Sequence, residues 1–114
     1  PPERVLLVGK SMGTFAAPVA AERELPAIWL TPLLTERTVA DAIARTTAPR
    51  LLVGGTDDPS WESETAKRSG ADVLEIPGAH HGLEIAGDPI RSVEVLGRIT
   101  EAMDRFVEAA DTGR

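Results

Sequence analysis

Short apolar stretches alternate with longer amphipathic stretches along the chain. The first is a run of four apolar residues, Val5 to Val8, which is typical of a strand covered on both faces of a sheet. Three more apolar stretches predict further strands, at 27–31, 50–55 and 72–76. The last of these alternates enough between apolar and polar residues to favour a position at the edge of the sheet.

Each predicted strand is followed by a segment with helical features. The predicted helices span about 12–24, 36–46, 60–69 and the residues from 88 to the C-terminal tail. Pro18 removes one backbone donor inside the first helix and is expected to kink it. Thr35 is the expected N-cap of the second helix, and Gly70 ends the third. Asp88 and Pro89 form a cap and a first helical residue for the fourth.

The apolar residues of the last helix recur at helical spacing, and we expect them to form its buried face. They are Ile90, Val93, Leu96, Ile99, Met103, Phe106 and Val107. The elements have the order βαβαβαβα, for which right-handed crossovers predict a mostly parallel sheet. We therefore expect an α/β fold, a three-layer αβα sandwich with helices on both faces of the sheet, formed by residues 1–114 as one domain.

Residues suited to catalysis follow three of the four predicted strands. Ser11 follows the first strand, Asp57 and Asp58 follow the third, and His80 and His81 follow the fourth. Ligands bind beyond the carboxyl ends of parallel strands, so we expect these side chains to meet at one edge of the sheet.

The spacing of glycines around Ser11 predicts a sharp turn. Gly9 and Gly13 bracket the serine in the pattern Gly-x-Ser-x-Gly, between the first predicted strand and the first predicted helix. A strand that turns abruptly into a helix crowds its flanking residues, so a Cβ atom at either glycine is expected to collide with the turn. Such a turn exposes the central side chain above the sheet, where a nucleophile can act.

This stretch resembles the nucleophile elbow of the α/β-hydrolase fold, and the order serine, aspartate, histidine is that of the family's catalytic triad. The resemblance covers most of the chain, which is similar to the C-terminal half of a family member. It implies a serine hydrolase, most specifically a carboxylic ester hydrolase, that works through an acyl-enzyme intermediate. The histidine takes the serine proton, and the carboxylate fixes the histidine tautomer.

The family pattern also selects among the neighbouring candidates. A Gly-x-x-Asp sequence followed by proline selects Asp58 when counted from Gly55, although counting from Gly54 selects Asp57. A histidine directly before glycine selects His81, and His80 is then expected to lie beside the site or at its rim.

The resemblance implies further parts of the site. The backbone N–H of Met12 is the expected oxyanion-hole donor, and the second donor belongs to a loop earlier in the family's fold. The strands that carry that loop have no counterpart here, so we expect a piece of a longer protein that is a weak catalyst alone. A missing N-terminal segment, or a second copy in a homodimer, would cover the open edge along Val5 to Val8.

Substrate contacts are expected at the mouth of the site. Trp61 follows the acid loop and Pro32 follows the second strand, and both could line an acyl pocket; the alternative for Trp61 is packing in the core. No segment is long enough for a cap domain between the second and third strands. The chain therefore resembles small lidless bacterial esterases and dienelactone-hydrolase-like proteins, whose substrates are small acyl compounds.

Composition narrows the function further. A net charge of −6 with no Lys/Arg cluster argues against nucleic-acid binding, and no apolar run reaches the length of a membrane span. The absence of cysteine excludes thiol catalysis and fits a cytoplasmic protein. No metal or organic cofactor is implied, because the two adjacent histidines lack a third ligand at useful spacing. The alternative function is a non-catalytic binding or scaffold module that keeps the fold.

Overall fold

A computed structural model describes residues 5–112 and contains a four-stranded, all-parallel sheet. The strands are β1 (Leu7–Lys10), β2 (Ala27–Leu30), β3 (Arg50–Gly55) and β4 (Asp72–Ile76), and they lie in the order β1-β2-β3-β4. The predicted α/β fold and parallel sheet are confirmed. The bounds of β3 and β4 are those predicted, and β4 lies at an edge.

Five helical segments connect and follow the strands. They are a 3₁₀ helix (Ser11–Ala16), α1 (Ala17–Glu22), α2 (Arg37–Arg45), α3 (Ser63–Arg68) and α4 (Pro89–Thr112). The first predicted helix is therefore two helices of different type, and Pro18 lies in the first turn of α1. A proline is tolerated there because the N–H groups of a first turn have no acceptor within the helix.

Helices cover both faces of the sheet, as predicted. On one face, α1, α2 and α3 pack over alternate strand residues that include Trp29 and Leu52. On the other face, α4 packs over Ile28, Leu51 and Val53 through Val95, Ile99 and Phe106. Three consecutive crossovers of one hand between neighbouring strands put their helices on one face, which leaves the opposite face to α4.

The first strand differs from its prediction. Its ladder begins at Leu7, which pairs with Ala27, because Pro26 has no N–H with which to extend the ladder toward Val5. Val8 is 55% exposed, so the expectation that this strand is covered on both faces is wrong. Among the described strands β1 pairs only with β2, and α4 packs mainly over β3 and β4, which leaves Val8 exposed.

The buried face of α4 is also only partly the one predicted. Asp88 caps the helix, since its Oδ1 accepts the Arg91 N–H at 3.0 Å. Ile99 and Phe106 are buried as expected and Met103 is partly buried, but Ile90, Val93, Leu96 and Val107 are exposed. At about 100° per residue these four positions stand roughly 100–220° around the helix from Val95, so they lie on its flanks or outer side rather than against the sheet.

Candidate active site

The turn after β1 holds Ser11 in a strained backbone conformation. Its φ of 54° lies in the left-handed region, which costs a non-glycine residue on the order of 1–3 kcal/mol. Thr14, which is fully buried, stabilises the turn: its hydroxyl donates to the Ser11 carbonyl at 2.6 Å and accepts the Leu33 N–H at 3.3 Å. The elbow is thereby tied to the loop that follows β2.

The two glycines of the elbow differ in their surroundings. A Cβ atom on Gly9 would lie 2.7 Å from Cζ3 of Trp29 and 2.8 Å from the carbonyl oxygen of Gly13. A Cβ atom on Gly13 would have no described heavy atom within 4 Å outside its own helix backbone and chain neighbours, because this residue is exposed on the outer side of the 3₁₀ helix. The steric prediction is therefore confirmed for Gly9 and wrong for Gly13.

The loop after β3 fixes Asp58 in a buried position. Its side chain is 1% exposed, and its Oδ1 accepts the N–H of Ser60 at 2.9 Å. The remaining oxygen, Oδ2, faces His81. The neighbouring Asp57 has an exposed side chain, and its backbone N–H donates to the Ala79 carbonyl at 2.9 Å. This bond links the aspartate loop to the segment that carries the histidines.

A continuous hydrogen-bonded chain joins the serine, one histidine and one aspartate. His81 Nδ1 lies 2.6 Å from Asp58 Oδ2, and His81 Nε2 lies 2.7 Å from Ser11 Oγ. An ionised carboxylate can only accept, so Nδ1 carries the ring proton and Nε2 is free to accept the serine proton. The structure thus brings Ser11, His81 and Asp58 together and leaves Asp57 and His80 outside this chain.

The backbone N–H of Met12, the expected oxyanion-hole donor, directly follows Ser11. It belongs to the first turn of the 3₁₀ helix, whose leading N–H groups have no acceptor within the helix. The resemblance places the second donor on a loop that precedes the elbow, and no strand precedes β1 among residues 5–112.

The two predicted pocket residues are buried, which corrects that prediction. Pro32 is fully buried, and Trp61 lies in the core with its ring over Gly54 of β3. The indole N–H of Trp61 donates to Glu75 Oε1 at 2.8 Å, which gives a buried polar group its partner. The alternative interpretation of Trp61, packing in the core, is the one that its burial supports.

Glu75, whose carboxylate accepts the indole N–H of Trp61, has a second hydrogen-bond donor. It also accepts a hydrogen bond from the hydroxyl of Ser63. The bonds from Ser63 and Trp61 favour the ionised carboxylate and hold the pKa of Glu75 below its usual value. Trp61 is thereby attached to both β3 and β4.

An open groove of about 760 Å³ lies beside the triad on the α4 face of the sheet. It runs between α4, the segment 82–89 and the ends of β1 and β2 at Lys10 and Leu30. His80 lines it, whereas Ser11 and His81 do not. The sequence does not predict this groove. Val93 and Leu96 line it with exposed side chains, whereas their spacing predicts that they belong to the buried face of the last helix.

Sequence reasoning also missed residues that support the triad. The N–H of Ser60 orients Asp58 from two residues downstream, which is the spacing of an Asx turn and could have been recognised. No comparable sequence signal marks Thr14. Its hydroxyl donates to the Ser11 carbonyl and accepts the N–H of Leu33, which is distant in sequence and is brought near only by the fold.

Neither a metal cluster nor a membrane span is found in the described part of the chain. No group of three or more His, Cys, Asp or Glu side chains within residues 5–112 could hold a metal ion. None of the described helices combines the length and apolar character needed to cross a membrane.

Comparison with protein-family models and with curated protein sequences finds no match for this chain. The molecule has a parallel α/β sheet that carries a hydrogen-bonded serine, histidine and aspartate at the carboxyl ends of its strands.

Proposed function

We propose that this protein is a serine hydrolase that acts on ester or related acyl bonds. The observation that carries the proposal is the chain from Ser11 Oγ through His81 to the buried Asp58, with contacts of 2.7 and 2.6 Å. These distances are within the range required of a nucleophile and its base. The left-handed backbone at Ser11 supports the proposal, because such strain is typical of functional sites.

In the proposed reaction, Ser11 Oγ attacks the carbonyl carbon of the substrate while His81 Nε2 takes the hydroxyl proton. The negative charge that develops on the carbonyl oxygen is stabilised by the Met12 N–H. His81 then returns its proton to the leaving alcohol, and the acyl group remains on Ser11. A water molecule, deprotonated by the same ring nitrogen, then attacks the acyl carbon; the bond to Ser11 Oγ breaks, His81 returns the proton to Oγ, and the acid is released. Asp58 holds the ring in place throughout and stabilises the imidazolium.

The proposed substrate is a small acyl compound, with a carboxylic ester as the main class. Between β2 and β3 the only described helix is α2, so this connection contains no cap domain. A site without a cap domain suits small or exposed acyl groups. The resemblance to compact bacterial esterases and dienelactone-hydrolase-like proteins belongs to this proposal, as does a cytoplasmic location.

Hydrolysis of short-chain aryl esters tests the proposal. Ser11→Ala is expected to lower turnover by about 10⁴-fold or more, because triad members act as a unit. Asp57→Asn is a matched control: it changes an exposed carboxylate next to Asp58 that lies outside the hydrogen-bonded chain, and it is expected to keep the parent rate. Turnover by Ser11→Ala within about tenfold of the parent would show that this serine is not the nucleophile.

A second candidate function is a binding or scaffold module, and the side of the sheet at β1 favours it. Val5 and Val8 are exposed near β1. One edge of β1 pairs with β2, and its other edge pairs with no described strand. An apolar edge of this kind is a template for a further strand, from a preceding segment of a longer protein or from a second copy. A fluorophosphonate probe separates the two functions, because it labels an activated serine and leaves a purely structural one unmodified.

A further inference from the structure

We propose that His80 is a positioning residue whose ring closes the turn that carries His81. This inference rests on the proposed hydrolase function, in which His81 is the base. His80 does not contact Ser11 or Asp58. It acts on the two residues that follow it, and so determines where the backbone of His81 lies.

Two hydrogen bonds close the turn, and both end on His80. The Leu83 N–H donates to the His80 carbonyl at 2.8 Å, which makes His81 and Gly82 the central residues of a four-residue turn. The Gly82 N–H donates to Nδ1 of the His80 ring at 2.8 Å. The backbone that follows His81 is thus attached to His80 twice, once to its carbonyl and once to its ring.

The ring of His80 also lies directly against Gly82. A Cβ atom on Gly82 would be 2.7 Å from Cε1 and 3.1 Å from Nδ1 of that ring. A side chain at position 82 would therefore push the ring away and break the bond to Nδ1. This contact gives a steric reason for a glycine directly after His81.

The segment beyond the turn holds His80 in its place. The His80 N–H donates to the Glu84 carbonyl at 3.0 Å, and Ala79 and Ile85 form an antiparallel bridge around the turn. His80 Nε2 lies 3.8 Å from Glu84 Oε1. Since Nδ1 accepts the Gly82 N–H, the ring proton is on Nε2, which faces this carboxylate.

The turn matters because His81 has little packing of its own. Its side chain is 41% exposed, so its position depends on the backbone beneath it and on the bonds to Asp58 and Ser11. A displacement of about 1 Å in a catalytic group can cost on the order of a hundredfold in rate. Loss of the bond to Nδ1 is therefore expected to lower kcat.

Asparagine can replace the ring nitrogen as an acceptor. Its side-chain oxygen accepts the N–H two residues ahead in an Asx turn, which is the bond that His80 Nδ1 makes to Gly82. Leucine has a similar volume and no acceptor. The pair His80→Asn and His80→Leu thus separates the hydrogen bond from the presence of a side chain. Glu84→Gln is the control, because it removes the charge beside Nε2 and leaves Nδ1 unchanged.

The test measures kcat and KM for a short-chain aryl ester, together with the proton NMR signal of the hydrogen-bonded His81 Nδ1–H. His80→Leu is expected to lower kcat about tenfold to a hundredfold with KM nearly unchanged, and to broaden or abolish the proton signal. His80→Asn is expected to restore both, and Glu84→Gln to leave both close to the parent. Parent-like kcat and signal in His80→Leu would overturn the inference, as would equal impairment in His80→Asn.

Gly82→Ala supplies an independent test if His80→Leu does not fold. The added methyl meets the ring of His80, so Gly82→Ala is expected to reduce kcat more in the parent than in the His80→Asn background. Equal losses in the two backgrounds would contradict the proposed contact between the His80 ring and Gly82. The NMR signal separates this inference from the proposed function. If the parent shows no turnover and no probe labelling, the hydrolase proposal fails, and the loss of the His81 signal in His80→Leu still tests the turn.

Discussion

Adding one methyl group at Gly9 is predicted to disrupt the elbow, whereas the same change at Gly13 is predicted to be harmless. The new Cβ at Gly9 would lie 2.7 Å from the Trp29 ring and 2.8 Å from the Gly13 carbonyl oxygen. Both distances are well inside van der Waals contact. The ring is buried in the core and the carbonyl belongs to the elbow, so the methyl can be accommodated only by disturbing the core packing or the elbow that carries Ser11. Overpacking of this kind costs about 1–3 kcal/mol of unfolding free energy.

Gly13→Ala is the matched control, because it adds the same atom to the same motif. Its Cβ meets open space, and its φ is not in the left-handed region. Alanine is favoured over glycine in a helical segment by roughly 0.5–1 kcal/mol, so this variant is expected to be as stable as the parent or slightly more stable.

Urea unfolding and ester hydrolysis measure the two variants side by side. Gly9→Ala is expected to lower the unfolding free energy by about 1–3 kcal/mol and to reduce kcat as Ser11 is displaced. Gly13→Ala is expected to keep both. Equal stability and activity in the two variants would refute the reasoning, since it would mean that the contacts around Gly9 do not constrain the elbow.

Three further predictions concern charged groups. Asp58→Asn is expected to lower kcat by about 10⁴, because the wrong histidine tautomer is then favoured, while Asp57→Asn keeps the parent rate; the reverse order would reassign the acid. Since its hydrogen bonds lower the pKa of Glu75 in the folded state, its contribution is present above the usual pKa of a glutamate and is lost as the pH falls through the lowered value. Urea unfolding below about pH 4 should therefore show a smaller pH dependence in Glu75→Gln than in the parent, and identical curves would contradict the contact. Arg50 is buried and donates to the carbonyls of Ile43, Ala48 and Ser69, so Arg50→Met is expected to cost about 2–4 kcal/mol in urea unfolding, and a change below about 0.5 kcal/mol would show that these bonds are dispensable.

The parts of the fold that could be predicted from the sequence are those with local signals. β3 ends where its apolar run meets the turn at Thr56, and α4 begins at a cap followed by proline, so both boundaries were predicted correctly. The pairing of Asp58 with His81 follows from the resemblance, whose family pattern places each residue by its spacing to a nearby glycine or proline. Neither step required knowledge of distant neighbours.

The parts that could not be predicted depend on what covers each residue. Val8 and Leu96 are apolar and correctly spaced, yet both are exposed, because α4 packs mainly over β3 and β4 and places Leu96 on its flank. At the site, the burial of Trp61 and the absence of a neighbour beside Gly13 could not be predicted from the sequence for the same reason. The ring of Trp61 is drawn into the core by Gly54 and Glu75, and the open space beside Gly13 exists only in three dimensions.

Reaction with a fluorophosphonate probe, followed by peptide mapping by mass spectrometry, tests the central claim most directly. We expect a single adduct on Ser11 in the parent and none in Ser11→Ala. The adduct is expected to form much more slowly in Asp58→Asn and at the parent rate in Asp57→Asn. An unlabelled parent chain, or an adduct on another residue, would contradict the claim that Ser11 is a nucleophile activated by His81 and Asp58.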